Sequence, residues 1–203
     1  MYLNEDEKQQ ISKEIENLEA KSSAELVAVI TKQSSSYNFE VVVLSLILTT
    51  IISLISLLLD ISSIKLFQIQ VLSFFIFYFL FDKFNKSLLT FLPKSYKHQK
   101  ASEYANEQFL NLGLQTTKTK QAIMFFVSTD EKYVEIITDS AIKEKIEDTY
   151  WQKIVDEFII DVKNKHLASG YLKAIKSCNE ILIEKFPIQK NDENELSNEV
   201  IEL

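Results

Sequence analysis

The chain has 203 residues, a formal net charge of −7 and 46% hydrophobic residues. The negative charge excludes a general nucleic-acid-binding protein, which would carry a basic face. Cys178 is the only cysteine, which excludes an intramolecular disulfide and a cysteine-rich zinc site. Because the sequence contains no arginine, bidentate recognition of phosphate by a guanidinium group is also excluded.

Two elements are predicted before the most apolar part of the chain. Asn4 and Glu7 have the spacing of a capping box, and apolar residues then recur at helical intervals, which predicts an amphipathic helix from Glu5 to Lys21. Ala24–Thr31 is short and rich in β-branched residues, which predicts a buried strand.

The most apolar part of the chain predicts a transmembrane hairpin. Val41–Leu59 contains nineteen residues without a charge, enough to cross the hydrocarbon core of a bilayer. Ile64–Phe81 predicts a second span, and the short turn Asp60–Ser63 requires the two spans to be antiparallel. The alternative is a buried core helix of a soluble protein, but such helices are usually shorter. Phe84–Leu92 predicts an amphipathic helix at the membrane interface.

The remainder of the chain predicts helices around two more strands. A helix over Ala101–Leu112 should end at Gly113, and the short connection between the two strands makes them antiparallel. The strands are Ala122–Ser128 and Tyr133–Thr138, and the later helices are Ala141–Ile146, Trp151–Lys163 and Tyr171–Phe186, the last opened by Gly170.

This pattern predicts that the chain is divided into three regions. Residues 4–38 are too few to bury a core alone, so they are predicted to join residues 100–188 in one discontinuous α/β domain. Residues 39–92 form the transmembrane hairpin and interfacial helix. Residues 189–203 are predicted to be a frayed acidic tail because they are mostly polar and acidic.

The order of several segments resembles the TPM-domain family, in particular a bacterial branch of membrane proteins with the same inserted hairpin. No single motif is highly specific, whereas the ordered set covers nearly the whole chain. The segments are Ser23–Val29, Phe109–Leu114, Thr117, Ile123–Ser128, Val134–Asp139, Trp151, Gly170, Phe186–Pro187 and Asn194–Leu196.

The resemblance implies an α/β/α sandwich with a small mixed sheet, interrupted by the two-helix transmembrane hairpin. It also implies one of two activities, since some members of the family are linked to acid phosphatase activity and others to repair or assembly of membrane complexes. The sequence departs from the family pattern at Lys120, where arginine is usual, and at Ala122, where glycine is usual.

One sheet edge gathers the candidate site residues if the first two strands are parallel and the third is antiparallel. Glu25 and Asp139 then lie at the same edge, and two carboxylates can hold Ca²⁺ or Mg²⁺. Lys118 or Lys120 can neutralise a phosphate group as a point charge. The alternative is structural: Glu25 forms a salt bridge with Lys120, and Asp139 caps the next helix.

Three functions remain open. The first is a non-enzymatic membrane module that binds or assembles other membrane proteins, with no role for nucleic acid. The second is a divalent-metal-dependent phosphatase that uses Glu25 and Asp139. The third is a lipid-interacting domain that uses the lysines after the second span, namely Lys83, Lys86, Lys94, Lys97 and Lys100.

The same lysines predict the orientation in the membrane. Basic flanks resist translocation, whereas the hairpin turn carries only Lys65 beside Asp60. We therefore expect an integral protein of the bacterial inner membrane with two spans and both termini in the cytoplasm.

Overall fold

The computed structural model describes residues 3–84, 89–190 and 194–203. The chain forms two compact units, one made of Met1–Ser34 with Gln99–Leu203 and the other of Ser35–His98. The helices are α1 (Glu5–Glu19), α2 (Asn38–Leu58), α3 (Ser63–Lys83), α4 (Lys94–Asn111), α5 (Ser140–Lys145), α6 (Asp148–Lys163) and α7 (Leu167–Lys185). The strands are β1 (Glu25–Thr31), β2 (Ala122–Ser128), β3 (Tyr133–Thr138) and β4 (Ile201–Glu202), with a 3₁₀ turn at Leu114–Thr116.

The first unit is built on a mixed sheet in the order β3-β2-β1-β4. β1 and β2 are parallel, with Glu25 opposite Ala122, and β3 runs antiparallel to β2. Every residue of β1 and β2 is buried, which explains why these strands are continuous apolar runs rather than alternating ones. The predicted pairing of the first three strands is confirmed.

Helices cover both faces of the sheet, so the predicted α/β/α sandwich is also confirmed. Successive strand side chains point to opposite faces. Leu26, Ala28 and Ile30 pack with residues of α1, α6 and α7 on one face. Val27 and Val29 pack with residues of α4 on the other face.

Most helices begin within three residues of the predicted start, and α4 and α7 differ most from the prediction. α1 begins as predicted, with the Asn4–Glu7 capping box formed. α4 begins at Lys94 rather than Ala101, because its first two turns are polar and give no apolar periodicity. Gly170 does not open α7 but lies inside it, where a Cβ atom would come within 2.8 Å of the Cβ atom of Asp161. Its role is therefore close packing between helices rather than the start of a helix.

The prediction of a frayed tail is wrong for the residues described. Residues 194–203, called the strap below, run beside β1, and Ile201 and Glu202 pair in parallel with Val29 and Ile30. The strap thus supplies a fourth strand, β4. Its polar composition hid this role, because edge pairing depends on a distant partner and not on local sequence.

The second unit contains the two most apolar helices, α2 and α3, which pack against each other. Small polar side chains of α2 are buried, and the hydroxyl of Ser45 donates to the carbonyl of Val41 within the helix. Both helices are long and apolar enough to cross a membrane. Most of their surface is exposed, unlike that of a soluble core helix, and the exposed apolar residues of α2 include Leu46, Ile47, Ile51, Leu54 and Leu58.

The predicted interfacial helix over Phe84–Leu92 falls partly on residues 85–88, which lie outside the described residues, and so does Lys86. Residues 89–91 are helical. Leu89 is buried with Tyr37 and Val41 in a small apolar cluster of the second unit.

Candidate functional site

The candidate residues Glu25 and Asp139 lie at the same end of the sheet. Glu25 is the first residue of β1 and is opposite Ala122, the first residue of β2. Asp139 directly follows β3, and its backbone N–H donates to the carbonyl of Ala122 at 2.9 Å. β2 therefore lies between the two residues, which places their backbones about 10 Å apart across two strand spacings.

Asp139 has a structural role at the start of α5. Its side chain accepts a hydrogen bond of 2.6 Å from the backbone N–H of Ser140, as an N-cap residue does. The backbone N–H of Lys143 donates to the Asp139 carbonyl and continues the first turn. The capping role considered from the sequence is therefore present in the structure.

Glu25 is buried, with 5% of its surface exposed, and the strap covers it. Its Oε1 atom accepts a hydrogen bond of 3.1 Å from the backbone N–H of Glu195. The Glu195 carboxylate in turn accepts the backbone N–H of Lys118 at 3.1 Å. The strap thus bridges the start of β1 and the loop before β2.

The two candidate lysines, Lys118 and Lys120, contact different parts of the structure. Lys118 meets the strap through its backbone N–H. The ammonium group of Lys120 donates to the carbonyl of Gln115, and the Lys120 backbone is left-handed with φ 57°.

Glu19, at the end of α1, joins this cluster and was missed by the sequence analysis. Burial and the charge of the neighbouring Glu25 together raise the pKa of Glu19 to about 8. The side chain of Asn194 donates to Glu19 Oε2 at 2.6 Å. A carboxyl pair of this kind shares one proton near neutral pH.

Two features concealed this cluster in the sequence. Glu19 is on the polar side of an amphipathic helix, where a carboxylate usually indicates only a solvated surface. Asn194 and Glu195 stand in a segment that its polar composition assigned to disorder. The available signal was the Asn194–Leu196 part of the family resemblance, which could have placed these residues beside Glu25.

The arrangement suits proton sharing better than metal binding. Across residues 3–84, 89–190 and 194–203, no three His, Cys, Asp or Glu side chains converge as a metal-binding group. β2 lies between Glu25 and Asp139, and Asp139 caps α5. Glu19 and Glu25 are a neighbouring carboxyl pair, and a cation between them would have to replace the shared proton.

Comparison with known proteins gives one family match and one structural match. A family model of the TPM domain matches residues 87–181. The NMR structure of the BA42 protein from the psychrophilic bacterium Bizionia argentinensis has a TM-score of 0.63 and 16% sequence identity, and the match covers 100% of this chain and 97% of that one. At this identity the likeness shows the fold alone. No curated protein matches the chain.

Proposed function

The chain belongs to the TPM-domain family, and on that premise we propose that it is a membrane-anchored module that binds or assembles other membrane proteins without catalysing a reaction. The hairpin α2–α3 is the anchor in this proposal, and the α/β unit is the part that meets partners. Partners would be other proteins of the same membrane.

The observation that carries this proposal is that the candidate site residues make hydrogen bonds within the fold. The carboxylate of Glu25 accepts a backbone N–H of the strap, and that of Asp139 accepts the first N–H of a helix. Lys120 binds a carbonyl of its own loop. A group held in this way stabilises the fold, and a substrate would have to displace these contacts before it could use the group.

The anchor is supported by the surface of the two apolar helices. Exposed Leu, Ile and Phe side chains over two 21-residue helices would be costly in water and are suited to lipid. The lysines after the second span support an orientation with both termini in the cytoplasm. The lipid-interacting function considered from the sequence is assigned here to the anchor.

The test is chemical crosslinking in living cells followed by mass spectrometry of the full, tagged chain. We expect one or a few membrane proteins to be joined reproducibly to exposed lysines of the α/β unit, such as Lys173 or Lys176. A parallel strain that expresses the chain without the tag identifies proteins that are recovered non-specifically. Crosslinks that follow only the abundance of membrane proteins would contradict an assembly role.

A second candidate is a divalent-metal-dependent phosphatase, and the Glu19–Glu25 pair is the observation that favours it. Burial and the charge of Glu25 raise the pKa of Glu19, and a divalent cation between the two carboxyl groups would relieve their repulsion. In this candidate Ca²⁺ or Mg²⁺ is the cofactor, and Lys118 and Lys120 contribute positive charge beside it.

Hydrolysis of a generic phosphate ester by purified protein, with and without Mg²⁺ or Ca²⁺, tests this candidate. Turnover that requires the cation and is lost in Glu19→Gln and Glu25→Gln would favour the phosphatase over the non-enzymatic module. Asp156→Ala, at an exposed position of α6, is the matched control. If millimolar cation changes neither turnover nor the melting temperature of the wild-type protein, the phosphatase proposal fails.

A further inference from the structure

The strap forms the edge of the sheet beside β1. Ile201 and Glu202 are its only residues in a ladder with β1. The backbone N–H of Leu203 donates to the carbonyl of Ile30 at 3.0 Å, and the hydroxyl of Thr31 donates to the carbonyl of Leu203 at 2.9 Å. The strap therefore ends in the position of an added strand.

The strap makes few stabilising contacts, although it forms the edge strand of the sheet. None of residues 194–203 is buried. Besides the short ladder and the contacts of Leu203, its attachments include hydrogen bonds of Asn194 and Glu195 and a partly exposed ion pair between Glu202 and Lys8. A segment with few buried apolar contacts opens locally at a small fraction of the global unfolding free energy.

Opening of the strap would expose β1, whose residues are otherwise buried on both faces of the sheet. The outer edge of β1 would then present unpaired N–H and C=O groups, which act as a template for another extended segment. The contacts of the strap define what such a segment must offer. Leu196 and Ile201 pack against the apolar cluster on one face, and Val200 packs against the cluster on the other.

A second copy of the chain carries the segment that meets these requirements. Exchange of an identical element between two copies uses the contacts already present in one copy, so it costs little beyond bringing the copies together. Two anchored copies share one membrane, which raises their local concentration. We propose that the strap exchanges between two copies, so that residues 194–203 of each copy pair with β1 of the other.

This inference rests on the assembly role proposed above and names the partner as a second copy of the chain. β1 is buried on both faces like a central strand, yet on one side it pairs only with the weakly held strap. The exchange accounts for this combination, because a weakly held strap can leave one copy and pair with β1 of the other. It also makes the carboxyl groups of Glu19 and Glu25 the acceptors for the strap of the partner copy.

The test uses two full-length versions with different tags, expressed together. One carries Lys8→Cys and the other carries Glu202→Cys, because Lys8 Nζ and Glu202 Oε2 lie 3.1 Å apart. Each copy loses only one partner of this partly exposed ion pair, which should cost little. Cys178 is fully buried and does not compete for reagent. We expect a short bismaleimide to join the two tags in membranes, because only an exchanged strap brings the two cysteines together.

Two controls make the result decisive. Glu180→Cys in place of Glu202→Cys puts the cysteine at an exposed position of α7 and measures random collision. Adding Ile201→Asp to the Glu202→Cys copy removes the apolar contact of β4 and should reduce the joined product to that collision level. Equal yields with Glu202→Cys and Glu180→Cys would overturn the exchange.

A third version distinguishes the failure of the exchange from failure of the assembly role. A single chain with both Lys8→Cys and Glu202→Cys reports the strap closed on its own β1 by crosslinking within the chain. If this internal product forms and the two-tag product does not, the strap stays within one copy and the exchange is wrong. The assembly role is then decided separately, by whether crosslinking in cells identifies specific membrane proteins as partners.

Discussion

Glu19, at the end of α1, and Glu25, at the start of β1, place neighbouring carboxyl groups at one end of the sheet. Two carboxylates this close cannot both remain ionised without repulsion, so one of them holds a proton. The strap adds Asn194 as a donor to Glu19 and the backbone of Glu195 as a donor to Glu25. The pair therefore links α1, β1 and the strap.

The first prediction concerns the pH dependence of stability. The folded chain keeps a proton on Glu19 until about pH 8, whereas the unfolded chain releases it near 4.5. Between these values the folded state binds more protons, so the free energy of unfolding falls as pH rises from about 4.5 to about 8 and levels off above it. Melting temperatures measured across this window should show the decline.

Glu19→Gln identifies the group responsible, because glutamine resembles the protonated acid and does not titrate. The melting temperature of this variant should change less between pH 4.5 and pH 8 than that of the wild-type protein. Asp6→Asn, at an exposed position in the first turn of the same helix, is the control and should retain the wild-type slope. An unchanged slope in Glu19→Gln would refute the proton sharing.

The second prediction concerns the glycine inside α7. Gly170→Ala should reduce the free energy of unfolding by about 1–3 kcal/mol, because the added methyl group would meet the Cβ atom of Asp161 at 2.8 Å and overpack the helix interface. Denaturant unfolding measures the loss. Ser169→Ala, at the exposed neighbouring position, should change stability little. Similar values for the two variants would show that α7 shifts to accept the methyl group.

The third prediction concerns a hydroxyl buried between the two central strands. Tyr171 is fully buried, and its hydroxyl lies 3.2 Å from the carbonyl of Val29 and 3.0 Å from that of Phe125. Tyr171→Phe should destabilise the fold by about 1–2 kcal/mol through loss of these hydrogen bonds. Tyr150→Phe, whose hydroxyl makes a 3.3 Å bond at a partly exposed site, should cost less in the same unfolding experiment.

The fourth prediction concerns orientation in the membrane. Alkaline phosphatase fused after Leu203 should be inactive because it stays in the cytoplasm, whereas the enzyme inserted after Ser62, in the hairpin turn, should be active. A cytoplasmic reporter at the same two positions should give the opposite pattern and controls for expression. Activity after Leu203 with none after Ser62 would reverse the proposed topology.

The sequence was sufficient for the elements that are defined by their own residues. β2 and β3 have the bounds predicted from their apolar runs, and α1 has the predicted cap. α2 and α3 follow from long stretches of apolar residues. In each case the residues that decide the structure are neighbours in the chain, so a local pattern is enough.

The sequence was insufficient where a distant partner decides the structure. Gly170 reads as a helix breaker until α6 is seen packed against it. Ile201 and Glu202 have no strand pattern of their own and become a strand because β1 offers an edge. Glu19 becomes part of the site only because the end of α1 lies beside the start of β1. No spacing of residues in the sequence predicts that contact.

The position of the hairpin within the α/β unit has a consequence for synthesis of the protein. β1 is made before the hairpin and its neighbour β2 after it, with residues 32–121 between them. At about 5–20 residues per second, the ribosome needs roughly 5–20 s to reach β2 after completing β1. During that interval β1 has no partner strand. In the proposed membrane-anchored protein, insertion of the hairpin therefore precedes closure of the sheet, and any delay in insertion prolongs the time during which the nascent strand is open to aggregation.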